Sequence, residues 1–204
     1  YKIYDTTWDG IEYHQETILA IVDNGWKPLI QELTPQNTDQ GLTIWVEHYA
    51  KGSEIISATI YAVFHKIETA KAINLLFILS SLFLSFDILY RKLKLSIIHS
   101  FSISLVVAFN PISLSQMLTF CVDGVVASLV IIFICTSFYL IKNLKKQYLL
   151  VLISTICILV NIKFTAILYA VIGCISILLF LFVRKHTYKD IRNLAFVMMA
   201  SGLI

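Results

Sequence analysis

The chain has 204 residues, of which 58% are hydrophobic and only 14% are charged, whereas charged residues approach a quarter of an ordinary soluble domain. Its 7 Gly, 3 Pro, 13 Phe and 10 Tyr exclude disordered, collagen-like and coiled-coil chains, because this much apolar surface cannot stay solvated. Although the net charge is only +3, the composition predicts an integral membrane protein of the all-α class.

The charges are unevenly distributed along the chain. Residues 1–54 contain nine acidic and three basic residues, whereas residues 55–204 contain four acidic and thirteen basic ones. The bases of the second part form short clusters between apolar runs rather than one exposed basic face. Nucleic acid is therefore not an expected partner.

The acidic first part has the pattern of short helices joined by loops. Residues 12–22, with apolar side chains at Ile18, Leu19, Ile21 and Val22, are predicted to form a helix that ends at a DNG turn. Residues 34–38 have the composition of a loop. Residues 53–64 form a second predicted helix that is too short to cross a bilayer, with Trp45 and Tyr61 as interfacial anchors.

The rest of the chain consists of long apolar runs, and a membrane span needs about 20 such residues. The run over 148–183 has 36 residues and would extend about 54 Å as one helix, so it must break. Asn161 and Lys163 predict a hairpin over 161–165. The predicted spans are 72–90, 95–110, 125–141, 148–162 and 166–183, and a truncated sixth begins near Leu194.

The basic residues set the predicted orientation. Ten of them fall in alternate connections between spans, which the positive-inside rule assigns to the cytoplasm. Residues 1–66, the loop over 111–124 and the 161–165 hairpin then lie on the extracytoplasmic side. We predict one membrane domain that consists of an extracytoplasmic loop with interfacial helices (1–66) and a transmembrane helix bundle (67–204). The ten bases are Arg91, Lys92, Lys94, Lys142, Lys145, Lys146, Arg184, Lys185, Lys189 and Arg192.

The chain begins at Tyr1 and stops within an apolar run, which predicts a piece of a longer membrane protein. It has four cysteines, three of them within apolar runs, and we expect small packing residues rather than a disulfide framework. They are Cys121, Cys135, Cys157 and Cys174.

Two polar segments of the first part are candidate sites. Residues 6–16 (TTWDGIEYHQE) include Asp9 and His14, and Asp9 is either a catalytic carboxylate or part of an ordinary Asp-Gly turn. Residues 45–54 (WVEHYAKGSE) include Tyr49 and Lys51, and this segment is either a second part of the site or a solvated loop that leads to a helix cap at Ser53.

Two ionisable residues at the ends of spans are further candidates. Asp123 stands where the chain enters the predicted span over 125–141, so it is either a site carboxylate or a helix cap. Lys163 lies in a hairpin too short to reach far into water. Charged groups held near the membrane core usually have a partner or a task, and the alternative is a lysine that extends to the interface.

The spacing of the other ionisable residues indicates no catalytic role. Asp87 stands four residues before Arg91, which predicts an ion pair on one helix face, and His65, His99 and His186 are isolated. Four residues of the first part could form a metal site, although their spacing is not typical of one. The sequence therefore leaves open whether the protein needs a divalent cation such as Mg²⁺ or Mn²⁺. These residues are His14, Glu16, Glu47 and His48.

Together the candidates place two carboxylates, two cations and several aromatic rings on one face of the membrane. A carboxylate can accept the proton of an attacking hydroxyl, and a fixed cation can stabilise a phosphate leaving group where water is scarce. Aromatic rings suit sugar faces and lipid interfaces. This combination fits the transfer of a sugar from a lipid phosphate carrier.

The same residues resemble motifs of the GT-C class of integral membrane glycosyltransferases, in particular the bacterial branch related to protein mannosyltransferases and the lipid A aminoarabinose transferase. WDGIEYH at 8–14 is similar to an acidic WDsxxYH motif in the first outer loop of that class. HYAKGSE at 48–54 is similar to a Tyr-Pro-Pro segment followed by Glu, with Ala50 and Lys51 where prolines are common. FCVDG at 120–124 and KFTA at 163–166 resemble the second outer acid and a Lys-Phe-Thr-Gly hairpin.

The resemblance implies a polyprenyl-phosphate-linked sugar donor, a glycan, lipid or protein acceptor, and an extracytoplasmic active site in the bacterial cytoplasmic membrane. It implies Asp9 as the catalytic base and Asp123 as a second acid of the site. The other polar residues of the motifs are expected to bind substrate; they are Tyr13, His14, Tyr49, Lys51, Glu54 and Lys163.

Two other classes of function remain open on the sequence. One is a secondary transporter or flippase of a polysaccharide system, in which Asp123 and Lys163 line the substrate path; such transporters usually have repeated halves, and this chain has no such repeat. The other is a non-catalytic membrane subunit, which would tolerate the removal of charge from residues 1–66.

Overall fold

The computed structural model describes residues 3–33, 43–142, 145–183 and 188–202. Within these ranges all regular structure is helical, which confirms the predicted class. In the described part of the chain, three helices are long and apolar enough to cross a membrane, and they indicate a membrane protein: Ile67–Lys92, Asp123–Ile141 and Phe164–Val183.

Residues 3–33 and 43–64, which we call the head, contain three short α-helices. A π-helical turn, Gly10–Gln15, continues into α1 (Glu16–Val22), and this confirms the predicted first helix; α2 (Thr43–His48) and α3 (Gly52–Phe64) follow. The predicted helix over 53–64 is therefore confirmed, but Ser53 lies inside it, and Lys51 occupies the cap position. The predicted loop over 34–38 lies outside the described residues.

The head packs onto the membrane helices through a small apolar cluster. Ile18 of α1 and Ala58 of α3 meet Ala70, near the start of the apolar helix Ile67–Lys92, and Phe120, in the connection before Asp123. A second cluster, around Tyr13, Trp26 and Val46, lies within the head itself. These contacts fix the head against the ends of the apolar helices.

The remaining helices form one packed bundle around α7. α7 contacts α4, α6, α8 and α9, whereas α9 is covered on one side only and exposes large apolar side chains, as expected for contact with lipid. The helices are α4 (Ala72–Asp87), α5 (Ile97–Ala108), α6 (Pro111–Gln116), α7 (Asp123–Lys142), α8 (Lys146–Val160), α9 (Phe164–Val183) and α10 (Tyr188–Gly202).

Small hydroxyl side chains allow these helices to approach closely. Ser81 and Ser85 of α4 and Ser100 and Ser104 of α5 are all buried. The Ser85 hydroxyl donates to the Ser81 carbonyl at 2.6 Å, and the Ser104 hydroxyl donates to the Ser100 carbonyl at 2.7 Å. Small residues of this kind are typical of helix contacts in membranes, and here three of the four hydroxyls donate to carbonyls of their own helix.

The predicted break in the long apolar run is confirmed, because α8 ends at Val160 and α9 begins at Phe164. The predicted number of full-length spans differs from the structure, since α5 has 12 residues and α8 has 15. α5 stops early because Asn110 caps the next helix and Pro111 begins it. The predicted Asp87–Arg91 ion pair is present at 3.0 Å.

Candidate functional site

The hairpin between α8 and α9 meets the start of α3 through the backbone. The Gly52 N–H donates to the Asn161 carbonyl with 2.6 Å between nitrogen and oxygen. A Cβ atom at position 52 would lie 2.7 Å from that carbonyl oxygen, so only glycine permits the approach. This contact brings the 45–54 segment of the head beside Lys163.

Lys163 and Asp123 form an ion pair at this junction. The Lys163 ammonium lies 2.6 Å from Asp123 Oδ1, and the two side chains are 32% and 48% exposed. Gln116 holds the acid from α6, because its amide donates to Asp123 Oδ2 at 3.4 Å and accepts from the Gly124 N–H at 2.7 Å. Asp123 is therefore more than a helix cap, and Lys163 has a protein partner rather than extending alone to the interface.

The charge of Lys163 is stabilised by its surroundings. Burial, the largest influence, lowers the pKa of Lys163, but the hydrogen bond to Asp123 and the electrostatic influence of Tyr49, Asp123 and Asp9 outweigh it and raise the pKa above its usual value. Lys163 is therefore a cation at neutral pH. The same interactions show that Asp9 and Tyr49 lie close enough to act on it.

Tyr13 and Tyr49 connect the ion pair to Asp9. Their ring centroids are 5.1 Å apart. Burial raises the pKa of Tyr13, and Tyr49 and a hydrogen bond with Asp9 raise it further. Burial also raises the pKa of Tyr49, against the opposing effect of Lys163. Both hydroxyls therefore remain protonated and can donate hydrogen bonds at neutral pH.

Asp9 is exposed at the start of the first helical turn of the head. Its backbone has helical dihedral angles (φ −56°, ψ −40°), so the Asp-Gly pair begins a helix and does not form an isolated turn. Tyr13 stands one helical turn later on the same face. Trp8 is 63% exposed, and its ring centroid lies 6.4 Å from that of Tyr13. A carboxylate flanked by aromatic rings is thus open to solvent.

His14 and Glu54 are buried behind the tyrosines. Each is at most 3% exposed, and His14 Nδ1 lies 2.5 Å from Glu54 Oε1, while the Ser53 hydroxyl donates to Glu54 Oε2 at 2.9 Å. The His14 ring is 4.3 Å from Tyr13 and 5.4 Å from Tyr49 between centroids. The prediction that His14 and Glu54 bind substrate directly does not fit this burial, and the pair instead supports the two rings from behind.

Lys51 is turned away from the ion pair. Its ammonium donates to the Tyr49 carbonyl and lies 6.0 Å from the centroid of the Trp26 ring. Burial lowers the pKa of Lys51 to about 8, and the charges of Glu54 and Glu47 offset part of that effect. The predicted substrate-binding lysine therefore stabilises the turn before α3, and Lys163 is the cation that faces the acids.

The four residues considered as metal ligands do not come together. His14 is paired with Glu54, and Glu47 accepts from the Leu33 N–H at 3.4 Å. In the described part of the chain, no three His, Cys, Asp or Glu side chains are arranged to hold a metal ion. Those residues therefore offer no set of protein ligands for the divalent cation that the sequence left open.

A large cleft opens beside Asp123. Its volume is about 690 Å³, and its walls combine polar residues with apolar residues of α5, α6 and α7. A second groove of about 460 Å³ shares Val130 and Tyr169 with it and continues between α7 and α9. A third cavity of about 390 Å³ lies on the other side of Lys163, against Tyr49. The polar residues of the first cleft are Asn110, Ser115, Gln116, Asp123, Thr165 and Tyr169.

Sequence reasoning missed Asp5 and Gln116. Asp5 accepts hydrogen bonds from the N–H and the hydroxyl of Thr7, a local turn that the sequence Asp-Thr-Thr could have indicated. Gln116 contacts Asp123 across the six residues of irregular chain that separate them, and no local pattern predicts that contact. No family model, curated protein or solved structure matches the chain significantly.

Proposed function

We propose that this chain is part of a polytopic membrane glycosyltransferase of the GT-C type, which transfers a sugar from a polyprenyl-phosphate donor to a glycan, lipid or protein acceptor. In this proposal the head faces the extracytoplasmic side of a bacterial cytoplasmic membrane. The observation that carries it is that Asp123, the ion-pair partner of Lys163, lines a largely apolar cleft of about 690 Å³. A lipid phosphate has this combination of an apolar tail and an anionic head.

In this proposal the cleft binds the lipid tail of the donor, and the cation binds its phosphate. The isoprenoid tail lies against the apolar walls of α5, α6 and α7, and the phosphate reaches Lys163, which stays charged because Asp123 raises its pKa. Asp123 also holds the ammonium in place. Both side chains are partly exposed, so the phosphate can approach them without unfolding the junction.

Asp9 supplies the base in this scheme. Its carboxylate takes the proton of the acceptor hydroxyl, the hydroxyl oxygen forms a bond to the anomeric carbon of the sugar, and the bond from that carbon to the phosphate oxygen breaks. The electron pair of the broken bond leaves on the polyprenyl phosphate, whose charge Lys163 stabilises. The protonated hydroxyl of the partly exposed Tyr49 can donate a hydrogen bond to the sugar between these groups, whereas Tyr13 is buried and supports Asp9 through its hydrogen bond with it.

The test is sugar transfer by the full-length protein in proteoliposomes, with a panel of radiolabelled polyprenyl-phosphate sugars. Asp9→Asn should reduce transfer at least about 100-fold while the protein still inserts and purifies normally. Glu12→Gln removes an acid from the same helical turn and serves as the matched control, with transfer expected to stay near the wild-type rate.

Two results would reject the proposal in different ways. Transfer by Asp9→Asn at the wild-type rate would rule out Asp9 as the base. If the wild-type protein transfers no sugar but the vesicles accumulate a solute in a manner that depends on Lys163, the chain is a transporter instead.

A further inference from the structure

A buried carboxylate that the proposed reaction does not use lies between the two segments that carry Asp9 and Asp123. Asp5 is 6% exposed, and three hydrogen bonds end on its side chain. The N–H and the hydroxyl of Thr7 donate to Oδ1 at 2.9 and 2.7 Å. The Phe120 N–H donates to Oδ2 at 2.5 Å. Thr7 stands two residues before Asp9, and Phe120 stands three residues before Asp123.

Further contacts tighten this arrangement around Thr7. Its hydroxyl oxygen accepts from the Gly10 N–H at 3.2 Å and lies 3.3 Å from the Cys121 sulfur, which donates to it. A Cβ atom on Gly10 would overlap Asp5 Oδ2. The carboxylate is therefore packed directly against the backbone that follows Asp9.

The segment before Asp123 is also held from the membrane side. The Asn74 amide of α4 donates to the Thr119 carbonyl at 3.0 Å and to the Cys121 carbonyl at 3.4 Å. Residues 119–121 are thus fixed between α4 and Asp5. Since Asp123 stands two residues after Cys121, its position depends on the contacts of this segment with Asn74 and with Asp5.

We propose that Asp5 is a positioning residue that sets the separation between Asp9 and the Lys163–Asp123 pair. This inference rests on the proposed function, in which the base acts on the attacking hydroxyl and the phosphate-binding cation acts on the leaving group, on opposite sides of the anomeric carbon. A carboxylate suits the task because it has two acceptor oxygens and no donor, so each oxygen can serve one segment. Catalytic geometry is sensitive to such spacing, since a displacement of about 1 Å can reduce a rate roughly 100-fold.

Asp5→Asn tests the inference with a side chain of the same size. The amide has one acceptor oxygen and one donor group, so either Thr7 or Phe120 loses its acceptor. We expect kcat for sugar transfer to fall about 100-fold, whereas KM for the lipid donor stays within about threefold because neither Asp5 nor residues 119–121 line the cleft. Asp23→Asn makes the same chemical change at a carboxylate of the head that accepts an exposed hydrogen bond from the Tyr61 hydroxyl, and it should leave both constants near wild type.

A second measurement does not depend on activity. In a background with Cys135→Ala, Cys157→Ala and Cys174→Ala, the rate at which a membrane-impermeant maleimide labels Cys121 reports how tightly residues 119–121 are held. Loss of a charged hydrogen bond should increase local opening, so Asp5→Asn should label about tenfold faster than the background protein, and Asp23→Asn should label at the background rate.

Thr7→Val provides a variant with the same shape and no hydroxyl, in case Asp5→Asn fails to fold. It removes the partner of Cys121 and should also increase labelling and lower kcat. Unchanged kcat or unchanged labelling in both variants overturns the role of Asp5. If the wild-type protein transfers no sugar, the proposed function fails, and the labelling of Cys121 still decides whether Asp5 holds the two segments together.

Discussion

The Lys163 ammonium lies 2.6 Å from the carboxylate of Asp123, although the two residues are 40 positions apart in the chain. The pair joins the hairpin between α8 and α9 to the start of α7, and Asp123 lines the cleft of about 690 Å³. A partly exposed cation with a fixed partner in this position can meet an anionic group that arrives from the bilayer.

If the chain transfers sugar as proposed, removal of the Lys163 charge should reduce transfer much more than removal of an ordinary surface charge. Lys163→Met keeps the length of the side chain and loses its charge, and we expect kcat to fall roughly 100- to 1,000-fold because the leaving phosphate loses its electrostatic partner. Arg91→Gln breaks the exposed Asp87–Arg91 pair and should change kcat less than about twofold. Equal effects of the two variants on kcat would show that Lys163 has no special role.

The buried His14–Glu54 pair should contribute strongly to stability. Glu54→Gln leaves one acceptor oxygen for the two partners His14 and Ser53 in a site that is 3% exposed, and a buried polar group without its partner costs about 1–3 kcal/mol of the free energy of unfolding. Thermal unfolding of the purified protein in detergent measures the change. Tyr61→Phe, which removes an exposed hydrogen bond to Asp23, is the comparison and should have a much smaller effect. A Glu54→Gln midpoint as high as that of Tyr61→Phe would contradict the assigned role.

Lys51 should give the protein a stability that rises with pH in the mildly alkaline range. Burial lowers its pKa to about 8 in the folded state, whereas the unfolded chain keeps the ordinary lysine value of about 10.4. Between these values the unfolded state binds more protons, so stability increases as pH rises from about 8 to 10, and Lys51 adds no pH dependence below about pH 7. As pH rises from about 8 to 10, the melting temperature of the wild type should therefore increase relative to that of Lys51→Met. A constant difference would indicate that the lysine titrates normally.

Filling the apolar cleft should weaken donor binding and leave the chemistry intact. Ala127 lines the cleft on α7, and Ala127→Phe places a ring in the space assigned to the isoprenoid tail. We expect KM for the lipid donor to increase about tenfold, since burying an aromatic-sized group of the ligand there is worth roughly 1.5–3 kcal/mol. Leu150→Phe enlarges an exposed apolar residue of α8 outside the cleft and is the control. An unchanged KM in Ala127→Phe would place the lipid elsewhere.

The amino-acid sequence determined the features that depend on neighbouring residues. Apolar length identified a helical membrane protein and required the break that the structure places between Val160 and Phe164, and the periodicity of residues 12–22 and 53–64 gave the head helices to within two residues. The i,i+4 spacing of Asp87 and Arg91 sufficed to predict their ion pair. These are local properties, because a helix and its charge pairs are set within one or two turns.

Only the tertiary structure decided which polar residues meet. Lys51 and Lys163 have the same chemistry in the sequence, but packing turns Lys51 towards Trp26 and brings Lys163 to Asp123. The sequence indicates His14 and Glu54 as site residues, but the fold buries them behind Tyr13. The role of Asp5 becomes visible only from its hydrogen bond with the Phe120 N–H, 115 positions away in the chain. The physical reason is that each of these contacts depends on how separate helices pack, and no short segment of sequence contains that information.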